Sequence, residues 1–308
     1  MKHLLFSAST LAIALTGTTA FSQAAETTGF TPYGFVSLNS FGVTGGSSDS
    51  YFYGDAGFSW KFSDTFGLDA SAVGFATDSS DASALYLAVF YDFGPVRVSV
   101  GAPRAAFDAF GRFRFQDTMP IIGLSATPLT SSVVTFIDLS ASSSNEHSFG
   151  VRVDGETASG LEYAISAHGF SDTPDAASIN GSLRYSFGEG VTLTAGLEYD
   201  FSPSGDDLTK AKIGLSKDFG QYELGIMAST LDGFGSSGIT MTELWASYDV
   251  NDRFEIGASY ITQSGGSDLV TLDASYEIFP NGKLALAMAR PTSGSSETLY
   301  NVGLRYDF

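Results

Sequence analysis

Apolar and polar residues alternate along most of this chain, and the alternation is clearest in its last segment. An aromatic or aliphatic side chain stands at every second position there: Tyr300, Val302, Leu304, Tyr306 and Phe308. A period of two residues indicates a β-strand, because successive side chains point to opposite faces of a sheet. The chain therefore ends on an amphipathic strand with a terminal aromatic residue. An edge strand of a soluble β-sandwich, the alternative interpretation, rarely ends in this way.

The same period recurs upstream, with the charged residues of each segment on one face only, and it predicts an all-β fold. We predict sixteen strands, near residues 31–41, 51–62, 66–76, 84–93, 96–102, 147–154, 161–170, 177–187, 191–201, 208–219, 222–231, 239–250, 254–263, 268–279, 283–290 and 298–308. Residues 133–139 are an alternative seventeenth strand. We place them in a loop, because single-chain bacterial barrels use an even number of antiparallel strands.

A short motif marks one end of the strands. An aromatic or apolar pair flanks a polar residue just before a tight turn, at Tyr185-Ser186-Phe187, Lys217-Asp218-Phe219, Tyr248-Asp249-Val250, Tyr276-Glu277-Ile278 and Tyr306-Asp307-Phe308. Successive motifs are about 30 residues apart, which fits one hairpin of two membrane-spanning strands. These turns are therefore predicted to share one barrel end, where their aromatic side chains would form a girdle.

One connection is much longer than the others and runs from about residue 103 to 146. It carries Arg104, Asp108, Arg112, Arg114 and Asp117, interleaved with Phe107, Phe110, Phe113 and Phe115. A loop of this length is usually functional or disordered, and its aromatic residues argue against disorder. Two further arginines lie on the polar faces of the flanking strands, Arg97 and Arg152, and we expect them to pair with Asp108 and Asp117.

The start of the chain predicts a cleaved signal peptide over residues 1–24. A short apolar run follows Lys2, and small residues precede a cleavage site after Ala24, with Ala20 as the alternative. The remaining chain, residues 25–308, contains no Cys and has a net charge of (15 − 1) − 34 = −20. This charge excludes non-specific nucleic-acid binding. The mean hydropathy of +0.09 is too low for a helical membrane protein but fits a barrel with a polar interior.

Sixteen amphipathic strands, a C-terminal Phe308 and one long loop after the fifth strand resemble the general diffusion porins of Gram-negative bacteria. The resemblance implies a transmembrane antiparallel β-barrel, most often of sixteen strands but with fourteen or eighteen as alternatives, narrowed by an inward-folded loop. It also implies a water-filled outer-membrane channel for passive diffusion of small hydrophilic solutes and ions. One departure concerns charge: the family's loop is typically acidic and faces wall arginines, whereas residues 103–131 carry three Arg against two Asp.

The same resemblance names partners and a set of constriction residues. The partners are outer-membrane lipid and lipopolysaccharide, a barrel assembly machinery that recognises Phe308 and Tyr306, and two further copies of the chain in a homotrimer. The constriction would be formed by Arg97, Arg104, Asp108, Arg112, Arg114, Asp117 and Arg152.

Other chemistry finds little support in the sequence. His147 and His168 are the only histidines after residue 24, too few for a zinc site, and no catalytic residues or cofactor are predicted. Calcium could bind acidic outer loops: Asp49, Asp78, Asp81, Asp172, Asp175, Asp206 and Asp207. Three alternatives remain: a substrate-specific channel in which the loop phenylalanines stack on a sugar or other solute, an outer-membrane enzyme, and a structural barrel with a plugged lumen.

Overall fold

The computed structural model describes residues 29–120, 127–144, 147–203, 205, 207–233, 236–293 and 297–308. The predicted signal peptide lies outside these residues. The described residues form sixteen strands: β1 (Phe30–Val43), β2 (Ser48–Lys61), β3 (Phe66–Thr77), β4 (Asp81–Asp92), β5 (Val96–Ala102), β6 (Ser148–Glu156), β7 (Leu161–Phe170), β8 (Ala177–Phe187), β9 (Val191–Phe201), β10 (Leu208–Asp218), β11 (Tyr222–Gly233), β12 (Ser236–Asn251), β13 (Phe254–Gln263), β14 (Leu269–Phe279), β15 (Gly282–Pro291) and β16 (Leu299–Asp307).

Each strand pairs antiparallel with its neighbours in sequence, and β1 pairs with β16, so the sheet closes into a barrel. The prediction of sixteen antiparallel strands is confirmed. The closing ladder runs from Val43 opposite Leu299 to Phe35 opposite Asp307. Closure pairs the backbone groups that an open sheet would leave bare at its two edges.

The barrel is apolar outside and polar inside. On β4, Leu85 is 73% exposed, whereas the next residue, Tyr86, lies on the opposite face and is 4% exposed. Other outward positions are also aliphatic, and many inward positions are polar: Ser37, Asn39, Asp55, Ser71, Ser166, Asn180, Glu198, Lys210, Glu243 and Asn301. This distribution reverses that of a soluble protein and is typical of a strand barrel in a lipid bilayer.

The short turns, the start of β1 and the end of β16 share one end of the barrel, as the recurring motif predicts. Their aromatic side chains touch one another, with ring centroids 4.7 Å apart for Tyr222 and Tyr248 and 5.3 Å apart for Tyr306 and Phe308. The long loop lies at the opposite end, between β5 and β6. We call these the turn end and the loop end.

The long loop folds into short helices. A 3-10 turn over Ala106–Asp108 is followed by α1 (Arg114–Thr118), α2 (Thr127–Thr130) and α3 (Val133–Ser144). Residues 133–139 thus belong to the loop, as predicted, and form the start of α3 rather than a strand. Among the described residues, no helix is long and apolar enough to cross a membrane.

Candidate functional site

The long loop lies inside the barrel, and its aromatic residues attach it to the wall. Phe107, Phe113 and Phe115 are at most 1% exposed. Phe113 and Phe115 pack with Leu129 and Val133 of the loop against inward side chains of β10 to β13, namely Leu208, Met227, Leu231, Met241 and Ile261. These rings therefore fix the loop in place and are not available as a stacking surface for a solute.

The space left open in the barrel lies on one side. A cavity of about 880 Å³ extends from the turn end to the start of the loop, and its walls come from β1 to β7. A smaller cavity of about 220 Å³ lies among loop residues and the inward faces of β2 and β3, with Lys212 from β10. Arg104 and Asp108 border both cavities. The candidate passage is therefore eccentric and narrows where the loop approaches β2.

At this narrow point two loop arginines share one carboxylate of the wall. Arg104 donates to Asp55 of β2 through both terminal nitrogens, at 2.6 and 3.2 Å. Arg112 reaches the same carboxylate at 3.4 Å and is more exposed, at 37% of its side chain. Burial alone would lower the pKa of Arg104, but Asp55 outweighs it and holds that pKa above the ordinary value. Both arginines thus stay charged.

Arg114, at the start of α1, is bound more deeply than Arg112. One terminal nitrogen donates to Glu255 of β13 at 2.5 Å and to Asp273 of β14 at 2.8 Å. Gly257 lies opposite Asp273 in the β13–β14 ladder, and a Cβ atom there would meet the guanidinium of Arg114. The glycine leaves room for this contact.

The far side of the loop approaches β16. Arg305 lies 3.5 Å from Asp117 of α1 and 2.7 Å from Asp307, and its guanidinium stacks 3.7 Å from the ring centre of Phe35. Asp117 is 43% exposed, so it faces open space. We refer to Asp55, Arg104, Arg112, Asp117 and Arg305 as the candidate constriction.

The predicted partners of the two flanking arginines are wrong. Arg97 binds Asp92 at 2.8 Å and Asp69 at 3.4 Å. Arg152 binds Asp154 at 2.5 Å and donates to the carbonyl of Arg104 at 3.2 Å. The reason is proximity. Asp92 lies opposite Arg97 in the β4–β5 ladder, Asp69 lies one strand further along on β3, and Asp154 lies two residues from Arg152 on β6.

Asp108 borders both cavities, but its bonding partners differ from the arginines predicted. Its carboxylate accepts the backbone N–H of Ser132 at 2.7 Å and the hydroxyl of Thr135 at 2.5 Å. Both partners belong to the start of α3. Asp108 therefore ties the first part of the loop to its second part.

Solved structures with a similar fold come from bacterial porins. Two triple-substituted variants of the porin of Rhodopseudomonas blastica align with TM-scores of 0.64 and 0.61, at 16% and 14% identity, and cover 91% of this chain and 100% of theirs. A structure entitled asymmetric conductivity of engineered proteins aligns over the same shares with a TM-score of 0.63 and 16% identity. The chain has the porin fold. No model of a known protein family and no curated protein matches it.

Within the porin fold, most ion pairs between this loop and the wall are arranged opposite to those that the resemblance implies, whereas Asp117 of the loop and Arg305 of the wall keep the implied arrangement. The loop contributes Arg104, Arg112 and Arg114, and the wall contributes the carboxylates that receive them. Sequence analysis missed these wall residues, Asp55, Glu255 and Asp273, and also Arg305. Each of these four residues lies on the polar face of a strand with alternating side chains. That position alone indicates that the side chain points into the barrel.

His168 and Ser166 lie close together on β7 but are buried behind the loop. The imidazole Nε2 is 2.9 Å from the Ser166 hydroxyl, which also accepts the N–H of Ala106 and donates to Asn180. The hydroxyl is thus committed to holding the loop. Among the residues that the structure describes, no three His, Asp or Glu side chains cluster closely enough to hold a metal ion. Asp206, one of the predicted calcium ligands, lies outside the described residues.

Proposed function

We propose that this protein is a water-filled channel for passive diffusion of small hydrophilic solutes and ions across the outer membrane of a Gram-negative bacterium. The observation that carries the proposal is the closed sixteen-stranded barrel with an apolar outside, a polar inside and a loop folded inward beside open cavities. Sixteen-stranded barrels are wide enough to leave an aqueous channel. A gradient drives the solute, so no covalent step is needed.

The loop would set the size limit, and charged side chains would set the ion preference. The larger cavity is bordered by Arg97, Arg104 and Arg152 against Asp69, Asp92, Asp108, Asp154, Glu156 and Glu162, a net charge of 3 − 6 = −3. The smaller cavity is bordered by Arg104, Arg112 and Lys212 against Asp55 and Asp108, a net charge of 3 − 2 = +1. These charges oppose each other along the passage, which supports a weak cation preference that grows as salt is lowered.

The deciding experiment is electrical. Purified protein inserted into a planar bilayer is expected to give stepwise, long-lived conductance increments, and vesicles containing it should admit small sugars and exclude larger ones. A protein that inserts as a heat-modifiable barrel but never conducts would contradict the channel and favour a plugged, structural barrel.

The partners and the constriction residues belong to the same proposal. The apolar exterior suits outer-membrane lipid, and lipopolysaccharide would contact the loop end. The chain would be assembled by the barrel machinery through Phe308 and Tyr306 and would form a homotrimer, which crosslinking in native membranes tests. Calcium binding at the acidic outer loops stays a prediction, tested by calorimetry with Ca²⁺ against Mg²⁺.

A further inference from the structure

The half of the barrel wall formed by β7 to β12 holds the backbone of the loop. Inward side chains on each of these strands bind the loop backbone, and two of them are glutamates described below. The other bonds join Ser166 to the N–H of Ala106, Asn180 to the N–H of Phe107, Ser182 to the carbonyl of Ala106, Lys212 to the carbonyl of Gly111, and Ser229 to the carbonyl of Leu129. The cavities are instead bordered mainly by β1 to β7. Strands β7 to β12 thus supply most of the side-chain bonds to the loop backbone. Tyr86 of β4, Ser148 and Arg152 of β6 and Asn301 of β16 bind the loop from the rest of the wall.

Glu243 of β12 is fully buried and lies beneath α1. Its Oε1 atom accepts the backbone N–H of Phe115 at 3.1 Å, in the first turn of this helix. The residue before the helix, Phe113, has no side-chain oxygen to do so. A hydrogen bond from a buried amide to a carboxylate is among the stronger ones in proteins. Glu243 therefore holds the helix that carries Arg114 and Asp117.

Glu198 of β9 has the same relation to α3. Its carboxylate accepts the N–H of Val133 at 3.1 and 3.2 Å and the hydroxyl of Ser132. A negative charge at the N-terminal end of a helix is stabilising because it satisfies free N–H groups and opposes the helix dipole. Lys210 lies 3.5 Å away and compensates the buried charge. Its ammonium also donates to the carbonyl of Ser131.

We propose that Glu198 and Glu243 are positioning residues that hold α3 and α1 of the loop, respectively, inside the barrel. They reach the loop from β9 and β12, and they bind backbone N–H groups at the start of each helix, with the Ser132 hydroxyl as a further partner of Glu198. Their effect on the aperture rests on the proposed channel function, whereas their effect on loop position does not. They touch neither cavity, so neither contacts a solute.

The test of loop position is backbone amide exchange in the full-length barrel, followed by mass spectrometry. We expect Glu243→Ala to speed exchange in peptides covering residues 113–118 by roughly tenfold or more. Glu198→Gln should speed exchange in residues 132–136 by a smaller factor, because glutamine keeps an acceptor for the N–H of Val133. Glu243→Gln keeps an acceptor but loses the charge, so its effect should be intermediate. Unchanged exchange in the alanine variant would overturn the proposal.

Two further variants control the design. Glu223→Ala removes a glutamate from the inward face of β11 near the turn end, for which the described residues show no bond to the loop, and it should leave exchange in both peptides unchanged. Equal acceleration by this variant would also overturn the proposal. Glu198→Gln also leaves the Lys210 ammonium without its carboxylate partner. The double variant Glu198→Gln with Lys210→Met removes this unpaired charge, so it isolates the effect of losing the anchor. Exchange near Val133 should remain faster in the double variant than in the parent. A return to the parent rate would refute the anchor.

Conductance gives the second readout. In a conducting parent, Glu198→Gln and Glu243→Ala should increase current fluctuations and closures, because a loosened loop moves within the passage. Steady currents despite faster exchange would refute the link between these residues and the aperture. A parent that never conducts would refute the channel, while the exchange data would still decide whether the glutamates hold the loop.

Discussion

At the scale of single residues, Asp55 decides the charge of the candidate constriction. One carboxylate receives Arg104 through two hydrogen bonds and lies within 3.4 Å of Arg112, so two positive charges share one negative charge. The contact is mostly buried, with side-chain exposures of 23% for Arg104 and 10% for Asp55, so bulk salt screens it less than a surface pair. In a conducting channel, a passing ion would therefore meet a small positive excess whose size depends on this one wall residue.

We expect Asp55→Asn to shift the channel toward anions, because both arginines lose their compensating charge. A unit charge about 4 Å from an ion is worth about 1 kcal/mol in water, or about a fivefold change in the permeability ratio. The measurement is the reversal potential in a salt gradient. A shift toward cations would contradict the assignment of Asp55 to the candidate constriction.

The loop arginines should act unequally. Arg112→Ser is expected to raise cation preference, because 37% of this side chain is exposed beside the passage. Arg114→Ser should change the reversal potential less, since its guanidinium is held by Glu255 and Asp273 and only 16% exposed. Equal shifts in the two variants would show that the passage also runs past Arg114.

At the scale of elements, the strands could be predicted from sequence and the interior of the loop could not. A strand exposes one face and its pattern records this with period two, as on β4. The run Val133 to Leu139 is rich in β-branched residues, which favour strands, yet it forms a helix because Val134 and Leu139 pack against the barrel wall. The contacts of Asp55 and Asp273 with the loop join residues distant in sequence, so no local pattern reports them.

Removing part of the loop should widen the channel. Deletion of Phe107–Phe115 removes three buried rings and the backbone bonded by Asn180, and we expect higher single-channel conductance and entry of larger solutes. Deletion of Ser264–Ser267, a connection at the loop end between β13 and β14, is the matched control and should leave both unchanged. Parent-like conductance in the first variant would place this segment outside the passage.

At the scale of the whole molecule, stability depends on closing β1 against β16. Nine residue pairs span this seam, and the backbone N–H of Phe308 adds a bond to the carbonyl of Gly34 at 2.9 Å. Gly34 has a φ of +96°, and a Cβ atom there would meet the backbone of Asp55 and Ala56, so glycine is required. Phe308 contributes only the last bond of the seam.

Deleting Phe308 should therefore separate assembly from stability. In cells we expect less heat-modifiable barrel in the outer membrane, because the terminal aromatic residue matches the family's assembly signal. In refolding from urea into detergent, the same variant should reach nearly the parent yield, since the remaining seam is intact. Phe308→Tyr keeps an aromatic terminus and is expected to assemble normally. Equal losses of barrel in cells and of refolding yield in detergent would show that Phe308 acts by stabilising the seam and not by being recognised during assembly.

The unequal anchoring of the loop also bears on which wall positions of such a barrel can change. Inward side chains of β7 to β12 are bonded to backbone groups of the loop, so substitutions there are expected to disturb its position. On β1 to β6 fewer inward positions bind the loop, among them Asp55, Tyr86, Ser148 and Arg152. If the protein conducts, substitutions at the remaining inward positions of β1 to β6 are expected to alter permeability while leaving the loop in place.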